Sequence, residues 1–463
     1  MPSPTRTTLE RRLGPFDAAA IIVANVIGGG ILFLPPTVAS MVPHPFWFLS
    51  TWVVGGVLAF FGAVAYAELA ALRPRAGGEY VYLREAYGPL AGFMTGWTSF
   101  VAGFAGAMAA SAIFLIFVID RFIPGAADST PFFVIPLPYV PLTFSRHTLL
   151  AITAIWLFAF VHIRGVGPGR VVMNVLATLK VTTLLVFIAL GFAVGAGSSA
   201  NFQQAAAPMS ATNWLLALVP VMFTYSGWNA AAYMAEEIRD PGRNVPRALL
   251  MGTIAVILIY ALLNTLYLYA MPVSELAAVK GSVFDLIGER ILGARAGDIL
   301  GLVAIVSVAA VLNAWTFAGP RVYYAMARDG VFFPAAAWVH PRFRTPHVSI
   351  VAQAAWASVL ILTGSLDTLA NYVGFAITLF AGIAVAAVFV LRARDPDAPR
   401  PYKTLGYPIA PGIFVLASLA IVVNAFYRSP GPSALGLLVI GSGIPLYLWL
   451  TRRVVPGRPE SRH

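Results

Sequence analysis

The chain has 463 residues, of which 59% are hydrophobic and only 11% charged. Soluble chains carry about 25% charged residues, so composition excludes an ordinary soluble domain and places this chain in a bilayer. Its net charge is +11, but the basic residues sit in short loops rather than in a run suited to nucleic acid; the absence of cysteine excludes disulfides, thiolate metal sites and a disulfide-linked partner subunit.

Apolar segments long enough to cross about 30 Å of hydrocarbon fall at 16–39, 47–72, 90–122, 147–164, 171–195, 214–236, 247–272, 297–325, 348–364, 367–391, 409–427 and 433–452. Twelve crossings put both termini on one side. The loops on that side carry Arg6, Arg11, Arg12, Arg73, Arg75, Arg84, Arg164, Arg170, Arg239, Arg243, Arg247 and most of the later arginines. The opposite side carries only Arg121, Arg146, Lys280, Arg290, Arg295 and Arg428. By the positive-inside rule both termini are expected to be cytoplasmic, in the cell (plasma) membrane. Trp47, Tyr139, Trp214, Tyr427 and Trp449 lie near segment ends, as interfacial anchors do.

The first segment contains Asn25-Val26-Ile27-Gly28-Gly29-Gly30-Ile31-Leu32-Phe33. Each glycine costs roughly 1 kcal/mol of helix propensity relative to alanine, and Pro35-Pro36 remove two further backbone donors. Open backbone is tolerated in hydrocarbon only where it is buried in protein or lines a cavity. The helix is therefore expected to be broken, with a ligand at the break. The Arg-bearing stretch before Asp17 reads as the tail of a retained first helix rather than a signal peptide.

Glycine pairs such as Gly92 and Gly96 read as close-packing surfaces. In the fifth segment Lys180 stands far from either end, where a charge costs at least ~2.5 kcal/mol. It is either a structural hydrogen-bond donor or a cation near an ion path. The sixth segment reads Pro220-Val221-Met222-Phe223-Thr224-Tyr225-Ser226-Gly227-Trp228-Asn229 and predicts a second break near Ser226-Gly227. Two interrupted helices at corresponding places in successive five-helix units of opposite orientation are the mark of an inverted-repeat transporter.

A half-helix beginning at Gly30-Ile31 offers N–H groups and a positive dipole end to a carboxylate. Carbonyls near Phe223, Thr224 and Ser226 suit an ammonium, so together the breaks suit the backbone of an α-amino acid. Glu68, Glu236, Glu237 and Asp120 fall near segment ends, leaving no carboxylate at mid-membrane for a cationic side chain. Tyr225, Trp228, Phe317 and Phe375, with Phe223, are expected to supply apolar and aromatic surface, which favours a neutral substrate. No enzyme is expected: there is no paired-carboxylate set, metal-ligand spacing, nucleotide motif or nucleophile beside a base, and His162 is lone at a helix end. No cofactor and no metal site are expected.

At these residues the chain resembles the amino acid–polyamine–organocation (APC) superfamily, and within it the L-type amino acid transporter branch. Gly28-Gly29-Gly30-Ile31 resembles the first-helix motif, and Phe223-Thr224-Tyr225-Ser226-Gly227-Trp228-Asn229 resembles the sixth-helix motif. Ala65-Tyr66-Ala67-Glu68-Leu69 followed by Pro74-Arg75-Ala76-Gly77-Gly78-Glu79-Tyr80-Val81-Tyr82-Leu83 is similar to the signature of the second helix and first cytoplasmic loop. Glu236 through Arg247 is similar to the loop after helix six.

The resemblance implies an all-α membrane protein of twelve transmembrane helices. These would form a LeuT-type five-plus-five inverted repeat with two C-terminal helices added. The divisions would be a cytoplasmic tail at 1–15, repeats at 16–195 and 196–391, helices eleven and twelve at 392–452 and a cytoplasmic tail at 453–463. It implies a bundle of helices 1, 2, 6 and 7 moving against a scaffold, and substrate-binding positions at Val26, Ile27, Gly28, Gly29, Gly30, Phe223, Thr224, Ser226 and Asn229. Phe223 would be the gating aromatic, and Asn229 would lie near the amine.

Lys180 matches the family's fifth-helix lysine, which stands where sodium-coupled relatives bind a second sodium. Sodium-independent exchange or proton symport of neutral amino acids follows. Gly29 departs from the family's Ser or Thr, and Ser226 replaces a commoner glycine. Eukaryotic members join a heavy chain through a cysteine; with none here, a stand-alone prokaryotic member is expected, whose partners are a small-molecule amino acid and the lipid bilayer. The alternatives are a cationic amino acid or polyamine carrier, and a non-transporting membrane receptor or scaffold, disfavoured because no soluble signalling domain is expected.

Overall fold

The computed structural model describes residues 9–138, 141–194, 197–204, 208, 210–293, 296–363, 366–428 and 430–453. The expectations placed on Arg6, Tyr139, Arg295 and the Phe375 side chain lie outside the described residues. Among the described residues, ten helices are long and apolar enough to cross a membrane, and two shorter apolar helices, Ala211–Thr224 and His347–Leu362, complete twelve crossings. Segment ends read from hydropathy fall within a few residues of the helix ends. The second helix runs Pro45–Leu72, the fifth Val166–Val194 and the seventh Pro241–Ala270. A short antiparallel hairpin, Phe133–Ile135 with Leu142–Phe144, adds the strands to an otherwise helical chain, in the connection between the third and fourth crossings.

Local chemistry explains the helix starts. Pro15, Pro45, Pro89 and Pro241 open their helices where a missing N–H costs nothing. Ser145 caps the fourth crossing by accepting from the Thr148 N–H at 3.2 Å. The glycines of the third crossing are packing surfaces, as expected: a side chain at Gly96 would strike Met326, and one at Gly92 would lie 2.9 Å from the Tyr80 carbonyl.

Two large apolar cores result among the described residues, beside a small one of Leu9, Ala76, Tyr324 and Val339. A compact one is built from the third, fourth, eighth and ninth crossings, with Ala105, Met108 and Ala112 meeting Ile155, Leu312 and Ile361. A larger one runs from Ile22, Trp52, Val221 and Tyr260 of the first, second, sixth and seventh crossings into the fifth, eighth and tenth, through Leu184, Phe317 and Val388. The second and seventh crossings share the most extensive contact in the molecule, and the fifth lies against both the first and the eighth.

Three of the four carboxylates read near segment ends are committed to arginines, while Asp120 accepts from the Ala127 N–H at 2.9 Å. Glu237 takes two hydrogen bonds from the fully buried Arg321, at 2.7 and 3.1 Å, and Arg328 binds Glu236 at 2.8 Å. Arg392 and Arg400 bind Glu68 at 2.6 and 3.2 Å. A single parallel bridge, Leu13 with Ile238, ties the chain entering the first crossing to the chain leaving the sixth.

Candidate functional site

Both predicted breaks are present, and they lie against each other. The first helix ends at Val26; Ile27 and Gly28 leave the helical conformation, and the helix restarts at Gly29, one residue before the expected Gly30. In the sixth crossing the helix ends at Thr224, and the chain turns through Gly227 at φ +98° before the 3-10 segment Ala230–Glu237. That φ is open to glycine and strained for any other residue. A Cβ at Gly30 would lie 3.0 Å from the Thr224 side chain, so glycine permits the two breaks to touch.

The carbonyls freed at these breaks have specific partners. Lys180, fully buried, donates from Nζ to the Ala24 carbonyl at 3.0 Å and to the Ile27 carbonyl. Its ion-pair partners number none among the described residues. Tyr260 of the seventh crossing places its hydroxyl 2.9 Å from the Val26 carbonyl and 3.1 Å from the Thr224 carbonyl. One phenolic proton thus serves both breaks. The Phe223 carbonyl accepts from the Ser226 N–H at 3.0 Å. Each of these carbonyls has a second lone pair. Asn25 packs against Gly227, and its Oδ1 is buried with no hydrogen-bond partner among the described residues.

Gly29, Gly30 and Ser226 are half-buried, and Phe223 is half exposed. A cavity opens on the far side of the second break. Its lining includes Ser226, Gly227, Asn229, Tyr233, Phe104, Trp315 and Glu79, while Gly28–Gly30 lie outside it. Among the described residues, the aromatic surface of this cavity comes from Phe104, Trp315 and Phe380. Tyr225 is turned inward and donates to the Trp52 carbonyl at 3.1 Å; Trp228 is packed between Tyr66 and Phe414. Phe317 lies beneath the Arg321 guanidinium and beside the His162 ring. His162 is itself buried and bonded through Nε2 to Asn313 at 2.8 Å. No group of His, Asp and Glu able to hold a metal occurs among the described residues.

Two residues escaped the sequence reading as site members. Tyr260 is one tyrosine in an apolar helix, and nothing local marks it. Glu79 sat in a loop motif, but the chain folds it inward to 6% exposure. There its Oε1 accepts from Tyr66 at 2.6 Å and from Asn229 at 2.8 Å. Glycines at φ +111° (Gly77) and +49° (Gly78) make the turn that carries it in.

Comparison with known proteins agrees with this architecture. The amino acid permease family model matches residues 13–450. Large neutral amino acids transporter small subunit 2 of Rattus norvegicus is 30% identical over 453 residues, covering 95% of this chain and 80% of the relative. Asc-type amino acid transporter 1 of Mus musculus is 28% identical over 452 residues, 96% and 81% of the two chains. The cystine/glutamate transporter of Homo sapiens is 28% identical over 449 residues, 96% and 86%. With both broken helices inside a match that spans nearly its whole length, this multi-pass membrane chain belongs to the amino acid permease family.

Proposed function

We propose that the chain is a sodium-independent secondary transporter of neutral amino acids, working by exchange or proton symport through alternating access. The observation that carries this reading is the meeting of two helix breaks at Gly30 and Thr224, with the unpaired Asn25 Oδ1 beside them. N–H groups of the restarted helix at Gly28, Gly29 and Gly30 would take the substrate carboxylate. The second lone pairs of the Phe223 and Thr224 carbonyls, the region of Ser226 and the Asn25 oxygen would take the ammonium. Phe223 would cover the substrate as the gate. In this reading Val26 and Ile27 shape the site through their held carbonyls, and Asn229 acts on the far side of the break.

Sodium independence rests on Lys180. Its ammonium already stands against the Ala24 and Ile27 carbonyls, and a cation at that place repels a second one. The names of two relatives, a large neutral amino acids transporter subunit and an Asc-type amino acid transporter, favour a neutral substrate. The repeats would span 16–195 and 196–391, with both termini cytoplasmic in the plasma membrane. A disulfide to a partner subunit is chemically closed to this sequence, which contains no cysteine.

Glu79 favours a second reading, a cationic amino acid or polyamine carrier, because it puts a carboxylate in the cavity. Counterflow in proteoliposomes separates the two. Labelled leucine or alanine should exchange equally with sodium present or replaced by choline, and neutral amino acids should compete. Competition by arginine or putrescine alone would favour the second reading, and strict dependence on a sodium gradient would overturn the first.

A further inference from the structure

Glu79 is the buried charge that transport as described does not use. Tyr66 of the second crossing and Asn229 of the sixth both donate to Oε1 at 2.6 and 2.8 Å, whereas the Thr95 hydroxyl stands 3.5 Å from Oε2, with the Tyr233 hydroxyl also bonded to the carboxyl. Oε1 thus takes two short hydrogen bonds, and the longer contact at Oε2 makes it the better placed of the two to carry a proton. The charged groups on the surrounding elements are engaged elsewhere. In the eighth crossing Arg321 is bound to Glu237, Arg328 to Glu236, and Asp329 to Tyr80 and Arg84. In the tenth, Arg392 is bound to Glu68 and Arg394 to the Glu85 carbonyl. The remaining titratable neighbours are phenols: Tyr66, Tyr82 and Tyr233. Glu79 makes no ion pair among the described residues.

A buried carboxylate without a cation costs several kcal/mol and takes a proton instead. Burial pushes the Glu79 carboxyl above its ordinary value, against the opposing hydrogen bonds from Tyr66, Tyr233, Thr95 and Asn229. The cavity it lines has about 40 Å³ of internal room, in a measure where ~10–15 Å³ holds one water. Ser226 and Gly227 of the second break line the same cavity, so the carboxyl and the break border one space.

We propose that Glu79 is the proton-carrying group of the transport cycle, bearing the proton on Oε2 while the cavity is closed and releasing it to water when the break opens. The proton enters from water on one side and leaves to water on the other. The zwitterionic substrate moves unchanged, so each coupled cycle carries one positive charge. This rests on the sodium-independent reading above and decides its open choice for proton symport. Asn229 and Tyr66 act as positioning residues, since both bind the oxygen that does not carry the proton.

The test uses the full chain in proteoliposomes, as wild type, Glu79→Gln and Glu79→Asp. In infrared difference spectra at neutral pH, without substrate, wild type should show a protonated-carboxyl C=O band that Glu79→Gln lacks and Glu79→Asp restores. Absence of that band in wild type overturns the proposal. With leucine and alanine as probes, an interior pH dye should report acidification coupled to wild-type uptake. Glu79→Gln should cut the ratio of proton entry to amino acid entry at least tenfold, about 1.4 kcal/mol of coupling. An unchanged ratio, or wild-type uptake without proton entry, overturns the coupling role. If the band is present but neither amino acid is carried while arginine drives the acidification, the neutral-substrate reading fails and the proton role stands.

Discussion

The two helix breaks are held open by different means. The first depends on neighbours: its carbonyls are held by Lys180 from the fifth crossing and Tyr260 from the seventh. The second is made chiefly by its own chain, through the Gly227 turn and the Ser226 bond to the Phe223 carbonyl, with Tyr260 reaching its Thr224 carbonyl from outside. A break made locally persists wherever the helix goes, whereas one held from outside changes when its holders move. The first break is thus the one suited to sense the scaffold, because its principal holder lies against both the first and the eighth crossings.

Removing the outside holder should have the largest effect. Lys180→Ala leaves the Ala24 and Ile27 carbonyls without that donor, at about 1–3 kcal/mol for each buried group. Counterflow should fall at least tenfold. Lys180→Met, which keeps the stem and deletes only the ammonium, should fall as far. Recovery of transport in the methionine variant would show that the stem, not the charge, holds the break.

Next comes the locally built break. Gly227→Ala forces a side chain into φ +98° and within 2.8 Å of the Asn25 amide. Strained positions of this kind cost about 1–3 kcal/mol, and both thermal stability and uptake should drop. If the two breaks are independent, the Lys180→Ala and Gly227→Ala costs add; departure from additivity measures their coupling.

Tyr260→Phe tests the shared holder. It removes one hydroxyl and little volume, for a loss of about 0.5–1.5 kcal/mol. Because that hydroxyl lies between Val26 and Thr224, the change should reduce the coupling between the breaks as well as the rate. A Tyr260→Phe protein in which the Lys180 and Gly227 costs still interact as in wild type would remove Tyr260 from this role.

These differences also decide what could be read from the sequence. Three glycines in a row, and a proline followed by Ser226-Gly227, are local propensity signals, so both breaks were legible to within a residue. Lys180 was legible because a mid-membrane charge is costly wherever it points. Tyr260, one of 17 tyrosines, became a site residue only through packing against two distant carbonyls. Glu79 read as part of a loop because hydropathy records the average character of a stretch, not a turn at Gly77-Gly78 that folds one side chain inward. Phe317 erred the other way: an aromatic at the right depth is claimed by whichever neighbour packs best, here Arg321.

The smallest effect is expected at Gly29, where the family pattern has a hydroxyl. If the first break binds carboxylate chiefly through backbone N–H groups, Gly29→Ser adds one donor to a site already furnished with several. The added Cβ would sit 3.1 Å from the Phe114 ring edge, so that ring must yield by a few tenths of an ångström. A new hydrogen bond of about 0.5–1.5 kcal/mol is then offset by the shift of Phe114. KM for leucine should change by less than about threefold, under ~0.7 kcal/mol, with kcat nearly constant. A gain or loss beyond tenfold would mean that the side chain at this position, rather than the backbone, reads the carboxylate, and the two breaks would then differ in recognition as well as in support.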